Sequence, residues 1–417
     1  MRIGIIGGGA AGLTTAWLLD GHHEVMLFEQ QARLGGHAQT IQVEQEGRSI
    51  GIDAGFEFFS LSMFPLFTRL LERLGVALHH FPMTVTISIT NPARVSLLPP
   101  FRQGRVFWSA LAPRPLADML QFQHVMAQSA ALMQSEDTSL TLEQFLRPLR
   151  LSGAFRREFL VPLLLGGWCL EMEEFLGFSA YNVLSYFYLN KPSGLTAKPW
   201  MEVEGGTAIY IQALADALTQ ETRLHLQTDV TRLERSGAGY VVHLADGRAY
   251  ECDELVLATN AAQARGLLSP LESQHALAQC LGAFEYFQTT IAVHGDQRLM
   301  PARRDHWSLV NIRCDGRHSS STMWKPWKGH TPIFKSWITY EDRVPEPLFA
   351  LATYSHPKVT PAYFRAQAEL AAFQGRDHLW LAGMYTRGVD CHESAIRSAI
   401  RVAQQLAPDS ARLKWLL

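Results

Sequence analysis

The 417-residue chain carries 37 Lys and Arg against 39 Asp and Glu, a formal net charge of −2, with 47% hydrophobic and 18% charged residues. That balance excludes the basic footprint of a nucleic-acid binder and the composition of a disordered chain, and the length allows a large core in two or three domains. Cys169, Cys252, Cys280, Cys314 and Cys391 lie without C-x-x-C spacing, which argues against a disulfide framework or a zinc site and fits a reducing compartment. No apolar stretch approaches the roughly 20 residues of a bilayer span, and a first strand starting at Arg2 leaves no room for a signal peptide, so a cytoplasmic protein is expected.

The chain opens with RIGIIGGGAAGLTTAWLLDGHHEVMLFEQ. Residues 2–6 form an apolar run too short for a helix, followed by Gly7, Gly9 and Gly12 in G-x-G-x-x-G spacing and a helical pattern through Ala16, Leu18 and Leu19. Gly7 permits the turn, Gly9 lets the backbone approach a pyrophosphate, and Gly12 allows the helix to pack closely on the strand. The helix start at Ala10 and Ala11 offers unpaired N–H groups to phosphate. A second strand, 24–28, ends at Glu29, where a carboxylate accepts hydrogen bonds from ribose hydroxyls, so an unphosphorylated adenosine ribose is favoured. Strand, helix, second strand and terminal acid together predict a dinucleotide-binding unit.

Directly after Glu29 and Gln30 come Arg33, Gly35, Gly36 and His37, a second glycine turn that a nicotinamide enzyme does not need. Further blocks follow: SIGIDAGFEFF (49–59), PWMEVEGGTAIYIQALADAL (199–218), LHLQTDVTRLER (224–235), ELVLATNAAQARGLL (254–268) and, near the C-terminus, LWLAGMYT with CHESAIRSAI. This series resembles the flavoprotein superfamily of amine oxidases and phytoene desaturases. The resemblance implies FAD, held by the glycine turns, by Gly55 and Phe56 near the isoalloxazine ring, by the backbone of Val230 at the adenine, and by Gly383, Glu393, Ser394 and Ala395 at the ribityl chain and pyrimidine oxygen. Most members have Arg after the Gly pair, where this chain has His37. RLGGH, IDAGF, residues 281–307 and the ending AG…HES are most similar to predicted FAD/NAD-binding proteins associated with cyclopropane-fatty-acyl phospholipid synthases. The chain departs from that group at WKPWKGHTPIFKSWITYED (324–342) and MYTRGVDCHES.

The implied fold is α/β: a Rossmann-like FAD-binding domain of glutathione-reductase type over 1–60, 196–269 and 356–417, interleaved with an α+β substrate domain over 61–195 and 270–355. Residues 61–195 read mainly as helices and 270–355 as strands. The segment 104–133 reads as a helix of the substrate domain, apolar enough for peripheral membrane contact. Phe56, Phe58, Phe59, Trp168, Phe187, Trp200, Tyr286 and Phe287 are candidates for an apolar tunnel.

Flavin chemistry asks little of side chains beyond orientation and tuning. His392 is read as a proton donor or base near its ordinary pKa, with Tyr385 and Glu57 beside it as further catalytic candidates. No metal site is expected. Amine oxidases of this superfamily carry a Lys on the strand facing the flavin, and residues 284–294 hold none. The leading expectation is therefore hydride transfer between flavin and a lipophilic, fatty-acyl or isoprenoid-like molecule. An oxidase of small amines is the first alternative, and a non-catalytic flavin-holding partner of a lipid-modifying methyltransferase the second.

Overall fold

The computed structural model describes residues 1–102, 105–191 and 198–417. The expected boundary between 195 and 196, and Gly104 at the start of the apolar segment, lie outside the described residues. The strand Arg2–Ile6 sits at the centre of a five-stranded parallel sheet, in the spatial order Thr222–His225, Glu24–Phe28, Arg2–Ile6, Glu254–Leu257, Leu379–Leu381. Its inner residues are buried on both faces, which is why it reads as a continuous apolar run rather than an alternating one. Helix Ala10–Leu19, buried at every position, shares one core with helix His392–Leu406 through the latter's Ile396, Ala399, Ile400 and Ala403. That 3–4–7 spacing makes one apolar stripe along the C-terminal helix.

A second sheet of seven strands runs Leu348–Pro357, Tyr286–His294, Phe334–Trp337, Ser319–Trp324, Val310–Cys314, Val85–Thr90, Ala93–Leu97. The helical segments between 113 and 189 pack against it, closely enough that a Cβ on Gly166 would lie 2.7 Å from Cδ1 of Ile312. Residues 61–195 are mainly helical, as expected, but they also contribute two strands to this sheet, Val85–Thr90 and Ala93–Leu97. Val85–Thr90 (VTISIT) alternates β-branched and polar residues with a period of two, and it pairs in parallel with Val310–Cys314. Phe64, Phe67, Leu70 and Leu71 also depart from expectation, because they pack into the core around the parallel sheet rather than with the helical insertion.

A buried ionic network ties the second sheet to residues 55–57 and to the strand Trp200–Val203. Lys325 bridges Glu57 and Glu202, while Nζ of Lys335 lies 2.9 Å from Glu57 and donates to the Gly55 carbonyl at 2.6 Å. Trp327 donates to Glu202 and Lys328 to the Gly51 carbonyl. The departure at 324–342 thus supplies the cations that hold residues 51–57 against the second sheet. Removing one partner of such a group leaves a buried charge without compensation, which costs about 3–5 kcal/mol. Glu202→Ala is accordingly expected to lose about that much stability in urea unfolding, and a Glu202→Leu/Lys325→Met double variant to recover part of it.

Candidate functional site

A cleft of about 830 Å³ runs along the C-terminal ends of the parallel strands and beneath the edge strand Leu348–Pro357, a size suited to a drug-sized ligand or larger cofactor. Two helices begin at its wall. Ala10 and Ala11 of the first helix line it, as do His392 and Ala395 of the C-terminal helix. Neither helix start has a side-chain cap. Both therefore present backbone N–H groups and the positive end of a helix dipole to the same cleft.

The glycine turn is shaped by contact. A Cβ on Gly12 would stand 1.9 Å from the carbonyl oxygen of Gly7, so only glycine lets the helix start this close to the strand. A Cβ on Gly9 would meet nothing nearer than Gly36 Cα at 4.0 Å, which leaves its face open to the cleft. Glu29 accepts from the Gly8 N–H at 2.7 Å and the Gln31 N–H at 2.8 Å, so the ribose candidate also fixes the turn. The hydroxyl of Tyr385, a cleft residue, is buried and has no hydrogen-bond partner among the described residues. An orphaned donor beside a cradle between two helix starts fits an elongated phosphate-bearing cofactor.

Of the other residues singled out from the sequence, Gly7, Gln30, Arg33, Gly35, Gly36 and His37 line the cleft, as do Val230 and Gly383. Gly12 lies beneath the turn instead. Gly55 and Phe56 are outside the wall: Gly55 packs on the His37 backbone, and Phe56 stacks on His392 at 4.1 Å. The Glu393 side chain is turned away from the cleft. Its two carboxylate oxygens accept the N–H groups of Leu66 and Phe67 at the start of helix Pro65–Arg73, so it caps a neighbouring helix. Ser394 donates to the Val389 carbonyl and holds the turn. Asn260, Tyr286 and Tyr354 line the cleft without having been singled out for it. The strand 254–257 pointed to the turn at Asn260, but only strand pairing brings Tyr354 there.

The catalytic candidates also change. His392 is buried, and its Nε2 lies 2.7 Å from the Tyr210 hydroxyl. Burial, with His37 nearby, pushes its pKa down to about 3, so it is a neutral hydrogen-bonding group rather than a base of ordinary pKa. Burial raises the Tyr385 hydroxyl well above its usual range, so it serves as a donor. Glu57 is spent on structure: burial opposes its charge, but Lys335 and Lys325 hold its pKa below the usual value. The proposed tunnel set also divides, since Phe58 packs with Phe81 and Trp200, and Phe59 with Phe64 and Phe67.

Two further features adjoin the cleft. Lys335 is the partner of Val293 across the second sheet, on the same face as Phe287, so that face has a lysine even though 284–294 holds none. Trp168, Phe178, Phe287, His356 and His37 form a continuous run of ring contacts at 6.4, 6.3, 5.7 and 5.5 Å, from the helical layer to the cleft wall. Beside Trp168, the carboxylate of Asp390 is held by the Trp168 and Asn182 side chains at 2.9 and 2.8 Å, while the Tyr186 hydroxyl donates to the Asp390 carbonyl. Burial pushes Asp390 up to about 6 against the pull of those donors. Among the described residues there is no group of three or more His, Cys, Asp or Glu arranged to hold a metal.

The family model described as flavin containing amine oxidoreductase matches residues 10–294, more than half of the chain. No curated protein matches. Among solved structures, the chain is similar to a fatty acid isomerase from P. acnes that produces CLA, with a TM-score of 0.71, 16% identity and coverage of 97% of this chain and 98% of that one. It is also similar to cyclohexylamine oxidase from Brevibacterium oxydans IH-35A, with a TM-score of 0.66, 17% identity and coverage of 98% and 99%. Wild-type putrescine oxidase bound to putrescine gives a TM-score of 0.67 at 14% identity, covering 98% and 99%. At these identities the structures establish a shared fold.

Gly12→Ala is expected to displace the first turn, cost about 1–3 kcal/mol through overpacking, and strip most of the visible flavin absorbance from the purified protein. Asp390 has a second consequence. Its folded pKa lies above the ordinary value, so the folded state binds the extra proton and stability falls as pH rises from about 4 to 6. In Asp390→Asn this contribution vanishes. The stability difference between wild type and variant, followed by urea unfolding, is expected to change by about 1.4 kcal/mol per pH unit across that window.

Proposed function

This chain belongs to the flavin containing amine oxidoreductase family and is an FAD-dependent oxidoreductase, and on that basis we propose that its substrate is lipophilic, of fatty-acyl or isoprenoid-like kind. When bound, FAD supplies a centre that accepts or returns a hydride. The protein's part is to bind, orient and exclude water. The carrying observation is the aromatic run from Trp168 to His37, which offers an apolar approach to the cleft wall. Asp390, the carboxylate beside it, has its oxygens turned to the Trp168 and Asn182 side chains. Neutral His392 and the donor Tyr385 are suited to hydrogen-bonding the cofactor edge rather than to taking a substrate proton.

The narrower likeness to proteins associated with cyclopropane-fatty-acyl synthases belongs to this proposal, as do a lipid-modifying methyltransferase partner and peripheral membrane contact. No described helix is long and apolar enough to cross a membrane. The three-stranded antiparallel sheet Val230–Ser236, Gly239–Leu244, Ala249–Cys252 supports the glutathione-reductase-type subdivision. Family membership sets aside the non-catalytic reading.

A second reading, oxidation of an amine, is favoured by Lys335. The absence of lysine from 284–294 counted against that chemistry, and a neighbouring strand provides one on the same sheet face. Fatty acid and amine substrates both occur on this fold. Anaerobic absorption spectra of the flavin-loaded protein separate the two. A lipid extract of the host is expected to bleach the flavin while a panel of amines leaves it oxidised; bleaching by amines alone would establish the second reading.

A further inference from the structure

His37 stands where the two glycine turns meet. The Gly35 N–H donates to the Gly8 carbonyl at 2.8 Å, and a Cβ on Gly36 would lie 3.3 Å from Gly9 Cα. The pair of turns therefore sets the next residue, His37, in the wall of the same cleft that the uncapped start of helix Ala10–Leu19 lines. His37 is enclosed by protein yet exposed to the open space of the cleft. Its ring lies 4.9 Å from Tyr354 and 5.5 Å from His356.

The charged and titratable groups around it favour an incoming anion. Arg33 is on its own loop, with its guanidinium donating to the Gly36 carbonyl and the Gln39 side chain. His356 comes from the edge strand with Lys335 acting on it, and His392 comes from the C-terminal helix. No carboxylate is among the groups that act on His37. Burial first, and then Arg33, push its pKa down to about 4, with a Ser355 backbone hydrogen bond opposing them. A charged imidazole at this position therefore lacks a counter-ion until a ligand brings one.

We propose that His37 is a proton-gated ligand of the cofactor pyrophosphate, neutral in the flavin-free protein and protonated from solvent as the doubly negative group enters the cleft. The inference rests on FAD binding alone and is independent of the substrate reading. A guanidinium would be permanently charged, whereas an imidazole here makes cofactor retention depend on pH. The sign follows from linkage: the bound state holds one proton more than the free state, so affinity falls as pH rises. While the free ring stays neutral and the bound ring charged, Kd rises tenfold per pH unit.

The test is calorimetric titration of FAD into the flavin-free, full-length protein at pH 6, 7 and 8, in pairs of buffers with different ionisation heats. Wild type is expected to take up about one proton per FAD, with Kd rising toward tenfold per pH unit. His37→Arg is expected to bind FAD with no proton uptake and a flat Kd, and His356→Gln to retain the uptake. FAD binding by wild type without proton uptake would overturn the proposal, as would uptake that persists in His37→Arg. Uptake lost in His356→Gln but kept in His37→Arg would assign the proton to His356 instead. Failure of FAD to bind wild type at any pH would count against the cofactor itself, a distinct outcome.

Discussion

The pairing of strand Glu254–Leu257 with Arg2–Ile6 on one side and Leu379–Leu381 on the other is the constraint from which the cleft follows. It carries the last 39 residues of the chain back to the first turn, so helices Ala10–Leu19 and His392–Leu406 pack together and start at one wall. Two uncapped helix starts directed at one cleft would leave polar groups unpaired with no anion or water between them. A long cofactor with phosphates near one helix and a polar ring edge near the other satisfies both. The small contact distances at Gly7 and Gly12 serve the same end, since a side chain at Gly12 would push the first helix away from the turn and one at Gly7 would meet the Ala258 carbonyl.

The second sheet is held to this frame by charge. Lys325 and Lys335 are buried on Glu57 and Glu202, and Lys335 also binds the Gly55 carbonyl, so residues 55–57 have little freedom. That rigidity passes to His37, whose carbonyl accepts the Phe56 N–H, and to the stacked pair Phe56 and His392. The network lies behind the cleft wall, so its contribution to chemistry is the position it gives the wall. Lys335 is the member through which the network reaches the aromatic run, because it shares a sheet face with Phe287.

The parallel sheet and its glycine turn were legible because their physics is local. Gly7, Gly9 and Gly12 carry a spacing that only a strand–turn–helix needs, and Glu29 ends the next strand. The C-terminal turn at Gly383 was legible by the same grammar. The task of the Glu393 side chain was not: it caps Pro65–Arg73, some 330 residues distant in sequence. Glu57, Lys325 and Lys335 fail for the same reason, since nothing in a sequence reveals which buried charges meet. His392 was recognised, but its basicity depends on burial and on nearby His37, and its hydrogen bond on Tyr210, which only the packed structure supplies. Val85–Thr90 was hidden inside a long helical insertion, although its alternation was visible.

The central claim is that both ends of the chain hold one cofactor in a single cleft. Hydrogen–deuterium exchange of the flavin-free and FAD-loaded protein tests it most directly. The account predicts slowed exchange on FAD binding in residues 7–12 and 35–37 and, together with them, in 383–395. Protection confined to the N-terminal segments, with 383–395 exchanging as before, would contradict it.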